Sequence, residues 1–103
     1  MRRKKAHGFV YMIQCNEHIK IGIAHNVRRR LDALQTSNPY KLKLLKAFPS
    51  QNPSKDENRL HRCLHAYHTR GEWHTIPQAT LDTLLFLDDL SILIGIKHDT
   101  SKH

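Results

Sequence analysis

The sequence predicts a single small α/β domain, a three-stranded antiparallel sheet flanked by about three helices. Three observations carry this reading. Apolar residues alternate with polar or small ones over His18–Ile23 and over part of Tyr40–Phe48, the period-two signature of strands. Val27, Leu31 and Leu34 recur at helical spacing, as do Leu60, Leu64 and Tyr67. A chain of 103 residues supports one modest core rather than two.

Residues 1–7 (MRRKKAH) carry four like charges and no periodicity, so they are expected to form a basic flexible arm, and residues 8–96 the single domain. Phe9–Ile13 is apolar on both faces, as in a strand covered on both sides. Gln14–Glu17 supplies a turn, and in the next strand Ile19, Ile21 and Ile23 face the core while Lys20 and Gly22 share the other face. Asn26 is a good N-cap for a helix over Val27–Gln35, ended by Thr36-Ser37-Asn38-Pro39. Arg28, Arg29 and Arg30 crowd its first turn, where cations oppose the helix dipole unless an anion also binds there.

Tyr40–Phe48 reads as a third, edge strand, with Leu42 and Leu44 on one face and Lys41 and Lys43 on the other. Residues Pro49–Pro53 read as a loop. Ser54 is positioned to cap a helix over Lys55–His68, with Glu57 three residues on as in a capping box and His61 four residues beyond Glu57 on the same edge. Thr69–His74 is a turn followed by a short extended segment. After Pro77 a third helix spans about residues 78–94, and residues 97–103 form a tail. The leucines and Phe86 of that helix exceed a narrow stripe, enough to complete the core or to make a homodimer contact.

Charge is unevenly placed. Residues 1–70 hold 15 basic and 4 acidic residues, a net of +11, whereas residues 71–103 hold 2 and 5, a net of −3. The basic part is an electrostatic footprint for a polyanion. Cys15 and Cys63 lie far apart with no CxxC pair, as free thiols in a reducing cytoplasm would. The apolar run after the basic start is too short for a secretion signal, and Leu84–Ile96, interrupted by Asp88 and Asp89, falls short of the ~20 residues that span a bilayer. No membrane association is expected.

Phe9-Val10-Tyr11, a turn, Lys20-Ile21-Gly22, then Arg30-Leu31, followed by Glu57-x-x-Leu60-His61 and Gly71-Glu72-Trp73, resemble in order and spacing the GIY-YIG endonuclease superfamily, in a compact branch common in phage and bacterial genomes. The resemblance covers about residues 8–76. It implies a phosphodiester hydrolase acting on nucleic acid, DNA in preference to RNA, with one divalent metal ion, Mg2+ or Mn2+, in the cytoplasm of a bacterial or phage-infected cell. It implies that Tyr11 lies beside the nucleophilic water as general base or orienting group, that Lys20 stands where the superfamily has its second tyrosine, that Arg30 stabilises the phosphate and that Glu57 holds the metal. An unperturbed tyrosine, with a pKa of about 10, is a poor base at neutral pH, so Tyr11 needs a neighbouring cation, from the metal or Lys20. Arg28 or Arg29 replaces Arg30 if the register slips by one or two.

Arg28, Arg29, His61, Lys41 and Lys43 are the further candidates for nucleic-acid contact. Trp73 reads as a core anchor ahead of a base-stacking residue. Each role has a plainer rival: strand aromatic for Tyr11, exposed cation for Lys20, solvated helix charge for Arg30, cap for Glu57. Two other functions compete with the nuclease. One is a GIY-YIG-like module that binds nucleic acid without cutting it. The other is a zinc protein using His61, Cys63, His65 and His68, which the opposed helical direction of Cys63 disfavours.

Overall fold

Strand β1, Gly8–Cys15, pairs antiparallel with β2, His18–Ala24, on one side and with β3, Lys43–Ser50, on the other. The computed structural model describes residues 6–88 and Leu90. Helix α1, Val27–Thr36, follows β2; helix α2, Pro53–Cys63, follows β3 and leads through a 3-10 turn, His65–Tyr67, into β4, His68–Arg70, and β5, Trp73–His74. Helix α3, Gln78–Leu85, comes last among the described residues.

The small α/β class holds, but the sheet has five strands in the order β3-β1-β2-β5-β4 where three were expected. The two additional strands have three and two residues, too short for alternation to register in sequence. Gly71, at φ 55°, takes the left-handed backbone that turns β4 into β5. The pairs Ile19↔His74 and Lys20↔Trp73, with Ile21 N–H donating to the Glu72 carbonyl, then zip this hairpin onto the free side of β2.

Alternation on β1 and β2 builds two apolar layers. Val10, Met12, Ile19, Ile21 and Phe48 face Leu60, Leu64, Leu81, Leu84 and Leu90, while Tyr11, Ile13, Cys15 and Leu42 face the α1 side, where Val27, Leu31, Leu34 and Trp73 pack. The prediction of a first strand covered on both faces is met, and Ile19, Ile21 and Ile23 do face one layer opposite Lys20 and Gly22. Asn26 caps α1, its Oδ1 accepting from Arg29 N–H at 3.0 Å. The first turn is tighter than expected, with only Asn16 and Glu17 outside the strands and Asn16 at φ 55°.

Three elements have boundaries that differ from expectation. β3 begins at Lys43 and includes Pro49 and Ser50, which pair with Phe9 and Gly8; a proline is tolerated there because β3 is an edge strand. A register shift opposite Met12 and Ile13 makes Leu45 the extra residue of β3; Leu44 pairs with Ile13, on the face where Leu42 packs, and is 38% exposed whereas Leu42 is buried (5%). α2 begins at Pro53, not Lys55. Asn52, not Ser54, is its cap, with Oδ1 accepting from Lys55 N–H, and Pro53 fills the first turn, where its missing N–H costs nothing. Glu57 is therefore free of capping duty. The same helix stops at Cys63 and tightens into the 3-10 turn before reaching His68. α3 ends at Leu85, where Phe86 N–H turns back to Thr83 and Leu84 carbonyls, leaving the Phe86 ring 86% exposed. Residues 86–88 are described and lie outside the helix, whereas residues 89 and 91–94 of the expected helix lie outside the described residues, as do residues 1–5 of the basic arm and the tail.

Candidate active site

Register places Tyr11 opposite Gly22 and Ile13 opposite Lys20, so Tyr11, Gly22 and Lys20 share the α1 face of the sheet. Tyr11 is only 3% exposed, and its ring lies across Gly22. A β-carbon built on Gly22 would stand 2.5 Å from Tyr11 Oη, 2.7 Å from Cζ and 3.2 Å from Glu72 Oε1. The glycine is thus required by close approach, since any side chain would lift the phenol from its seat.

Two carboxylates meet this hydroxyl from different elements. Glu57 comes from α2 and Glu72 from the β4–β5 turn, and they approach within hydrogen-bonding reach of each other. Burial, then the Glu72 charge, raises the Glu57 pKa above its ordinary value, opposed by His61, whose Nε2 lies 3.5 Å from Glu57 Oε2. Burial also raises Tyr11, reinforced by Glu72 and Glu57 and opposed by Arg30 from α1. At neutral pH Tyr11 is a neutral phenol. Of the three arginines, Arg30 is the one whose charge opposes the rise of the Tyr11 pKa.

Lys20 Nζ pairs with Glu72 Oε1 at 3.2 Å and lies 5.3 Å from the centroid of the Trp73 ring. Arg30 supplies a positive charge that acts on Tyr11. Lys20 therefore acts on Glu72 and through it on the carboxylate pair.

The fold thus gathers Tyr11, Lys20, Arg30, Glu57 and His61, and adds two residues absent from the expected set, Glu72 and His74. Glu72 was visible in sequence only as part of Gly71-Glu72-Trp73; that its side chain reaches Tyr11 depends on the hairpin that sequence did not reveal. His74 is fully buried, its ring 5.1 Å from that of His61, with Nδ1 3.3 Å from the Glu72 carbonyl and no partner at Nε2. Burial, with the charge of His61, lowers the His74 pKa. Together with His65, His68 and Glu72, these two histidines line a pocket of about 300 Å3. Cys63 instead packs against the core, so the set His61, Cys63, His65, His68 does not assemble. No group of three or more His, Cys, Asp or Glu side chains stands as a ready metal cage among the described residues.

Arg28 and Arg29 are exposed on the first turn of α1. Lys41 and Lys43 are exposed at the start of β3; Lys43 pairs with Gln14, toward the β1–β2 turn, whereas Tyr11 pairs with Ala47 farther along. They lie away from the carboxylates.

The model of the T5orf172 domain matches residues 8–87. The chain belongs to the T5orf172 domain family. This is a family of endonuclease-related domains, so the nucleic-acid direction of the sequence reading stands at that level. No curated protein and no solved structure matches the chain. Within the T5orf172 domain the match runs from the first residue of β1 past the end of α3, and so includes Tyr11, Lys20, Arg30, Glu57 and Glu72.

Proposed function

We propose that this T5orf172 domain is a metal-dependent endonuclease of the GIY-YIG type that hydrolyses phosphodiester bonds, with DNA as substrate. The observation that carries the reading is the meeting of a buried tyrosine hydroxyl, two carboxylates and an arginine at one site, contributed by β1, α2, the β4–β5 turn and α1. Glu57, its pKa raised by burial and by the charge of Glu72, faces that second carboxylate beside a buried phenol. Like charges so placed are a standing cost that a bound cation removes.

Glu57 and Glu72 fit a hard divalent cation such as Mg2+ or Mn2+, because both offer carboxylate oxygens and such ions take the rest of their shell from water and substrate phosphate. When bound, the cation would supply positive charge that offsets that of the phosphate. The protein's own groups do the positioning. Tyr11, neutral and fixed by Gly22, accepts a hydrogen bond from the attacking water and aligns it with phosphorus. Arg30 engages the non-bridging oxygens, where its fork matches two acceptors as charge accumulates. His61 steadies one oxygen of Glu57, and Lys20 steadies one oxygen of Glu72. As the water oxygen bonds to phosphorus it gives up a proton, the bond to the leaving oxygen breaks and that oxygen takes up a proton, giving one phosphate and one hydroxyl end.

The non-cutting module keeps one observation in its favour, the raised Tyr11 pKa with Lys20 drawn to Glu72 rather than to the phenol. A cleavage panel separates the two. Purified protein with Mg2+ or Mn2+ is expected to nick or cut single-stranded, duplex or branched DNA, and EDTA to stop it. Binding across the panel with no cleavage under either metal would establish the module instead.

A further inference from the structure

A groove of about 530 Å3 runs along the α1 face beside the carboxylate site, and Tyr40, Trp73, Arg70, His18, Asn38 and Thr69 are among its lining residues. We propose that it receives an unpaired nucleobase from the strand whose phosphate is engaged by Arg30 and Tyr11, so that the domain selects single-stranded, flap or otherwise unstacked positions. This rests on the phosphodiester reading above and deepens it by naming the substrate class.

Four features argue for that occupant. Trp73 belongs to both places: its ring lines the groove while Lys20, in contact with Glu72, lies 5.3 Å from its centroid. A base lodged beside Trp73 is therefore next to Lys20, the partner of Glu72 in the carboxylate pair. Tyr40 lines the same groove with its ring 58% exposed, a large aromatic surface with no core to fill, which suits stacking. The surroundings are cationic: Arg70 is a lining residue, and Lys41 and Lys43 lie one and three residues after Tyr40, which matches a polyanionic strand. The Asn38 side chain, whose Oδ1 accepts from Tyr40 N–H, adds an amide NH2 group of the kind that meets base edges, and Thr69 Oγ1, donating to the Trp73 carbonyl, fixes the segment that carries Trp73. A base inside an intact duplex is stacked on both faces and cannot enter, so selection for unpaired positions follows from the groove itself.

Trp73 is the chain's single tryptophan, so its emission reports the groove directly. The test titrates the full chain, without divalent ions, with a short single-stranded oligodeoxyadenylate, an abasic strand of the same length and a blunt duplex. The single strand is expected to quench Trp73 emission, the abasic strand and duplex to bind with little quenching, and Tyr40→Ala to raise the Kd for the single strand about tenfold with the salt dependence unchanged. Equal quenching by abasic strand or duplex, strand binding with unaltered emission, or an unchanged Kd in Tyr40→Ala would overturn the groove assignment. Each of these leaves cleavage intact, whereas loss of both binding and cleavage for every nucleic acid removes the phosphodiester reading as well.

Discussion

The Tyr11 hydroxyl lies so close over Gly22 that a β-carbon there would stand 2.5 Å from its oxygen. Gly22→Ala must therefore move the phenol, and Tyr11 is buried between strands with little freedom to yield. Overpacking of this kind costs ~1–3 kcal/mol of stability. The displaced hydroxyl is expected to lower the cleavage rate on the order of a hundredfold while the circular dichroism spectrum is retained. Single-turnover cleavage and chemical denaturation of the same sample measure the two effects separately. A variant with full cleavage would show that the position of Tyr11 is unimportant.

Glu57 and Glu72 oppose each other in the metal-free protein, so neutralising one relieves the other. Glu72→Gln is expected to leave the metal-free melting temperature unchanged or higher. It should also remove most of the rise in Tm that Mg2+ or Mn2+ produces in the parent protein, since a ligand that binds only the folded state stabilises it by mass action. Differential scanning fluorimetry with and without metal reads this independently of cleavage. An undiminished metal-dependent rise in Glu72→Gln would assign the cation to Glu57 without Glu72.

The Lys20–Glu72 pair is partly exposed, with side chains 18% and 45% accessible, so it contributes ~0–1 kcal/mol to stability. Its larger effect is on where the Glu72 carboxylate rests. Lys20→Met is expected to change stability by less than about 1 kcal/mol and to lower the cleavage rate by about tenfold or more. Equal losses of stability and activity would point to a purely structural lysine.

Burial and the neighbouring His61 hold the His74 pKa below its ordinary value of 6.5. Between those two values the unfolded chain binds the proton and the folded chain does not. Stability from this group is therefore complete above pH 6.5 and falls as pH drops through the lowered folded value. His74→Phe is expected to flatten that acid limb of the stability profile, measured by denaturant unfolding across a pH series. An identical limb in the variant would place its origin in other groups.

Much of this arrangement was legible in sequence because it rests on local rules. Strict alternation of Ile19, Ile21 and Ile23 put Lys20 and Gly22 on one face, and Asn26 marked the start of α1, which brings Arg30 to the sheet. Glu57 and His61 were rightly read as neighbours from their helical spacing. The parts that escaped depend on contacts between distant segments. Two short strands around Gly71 carry no period, so neither the fifth strand nor the reach of Glu72 to Tyr11 was visible. Asn52 and Pro53 took the start of α2 from Ser54 because an asparagine cap followed by proline satisfies that end better. Lys20 looked like the cation for Tyr11 because strand pairing sets them on one face, but Glu72, unseen at that level, claims it.

In the proposed reaction Tyr11 and Glu57 act together on one phosphodiester bond. The decisive measurement is single-turnover cleavage of end-labelled single-stranded DNA, with saturating Mn2+ or Mg2+, by the parent protein beside Tyr11→Phe and Glu57→Ala. Metal-dependent product is expected from the parent, and its loss, by about a hundredfold or more on the scale of a removed transition-state contact, in each variant that remains folded. Cleavage that persists at the parental rate in both variants would contradict it.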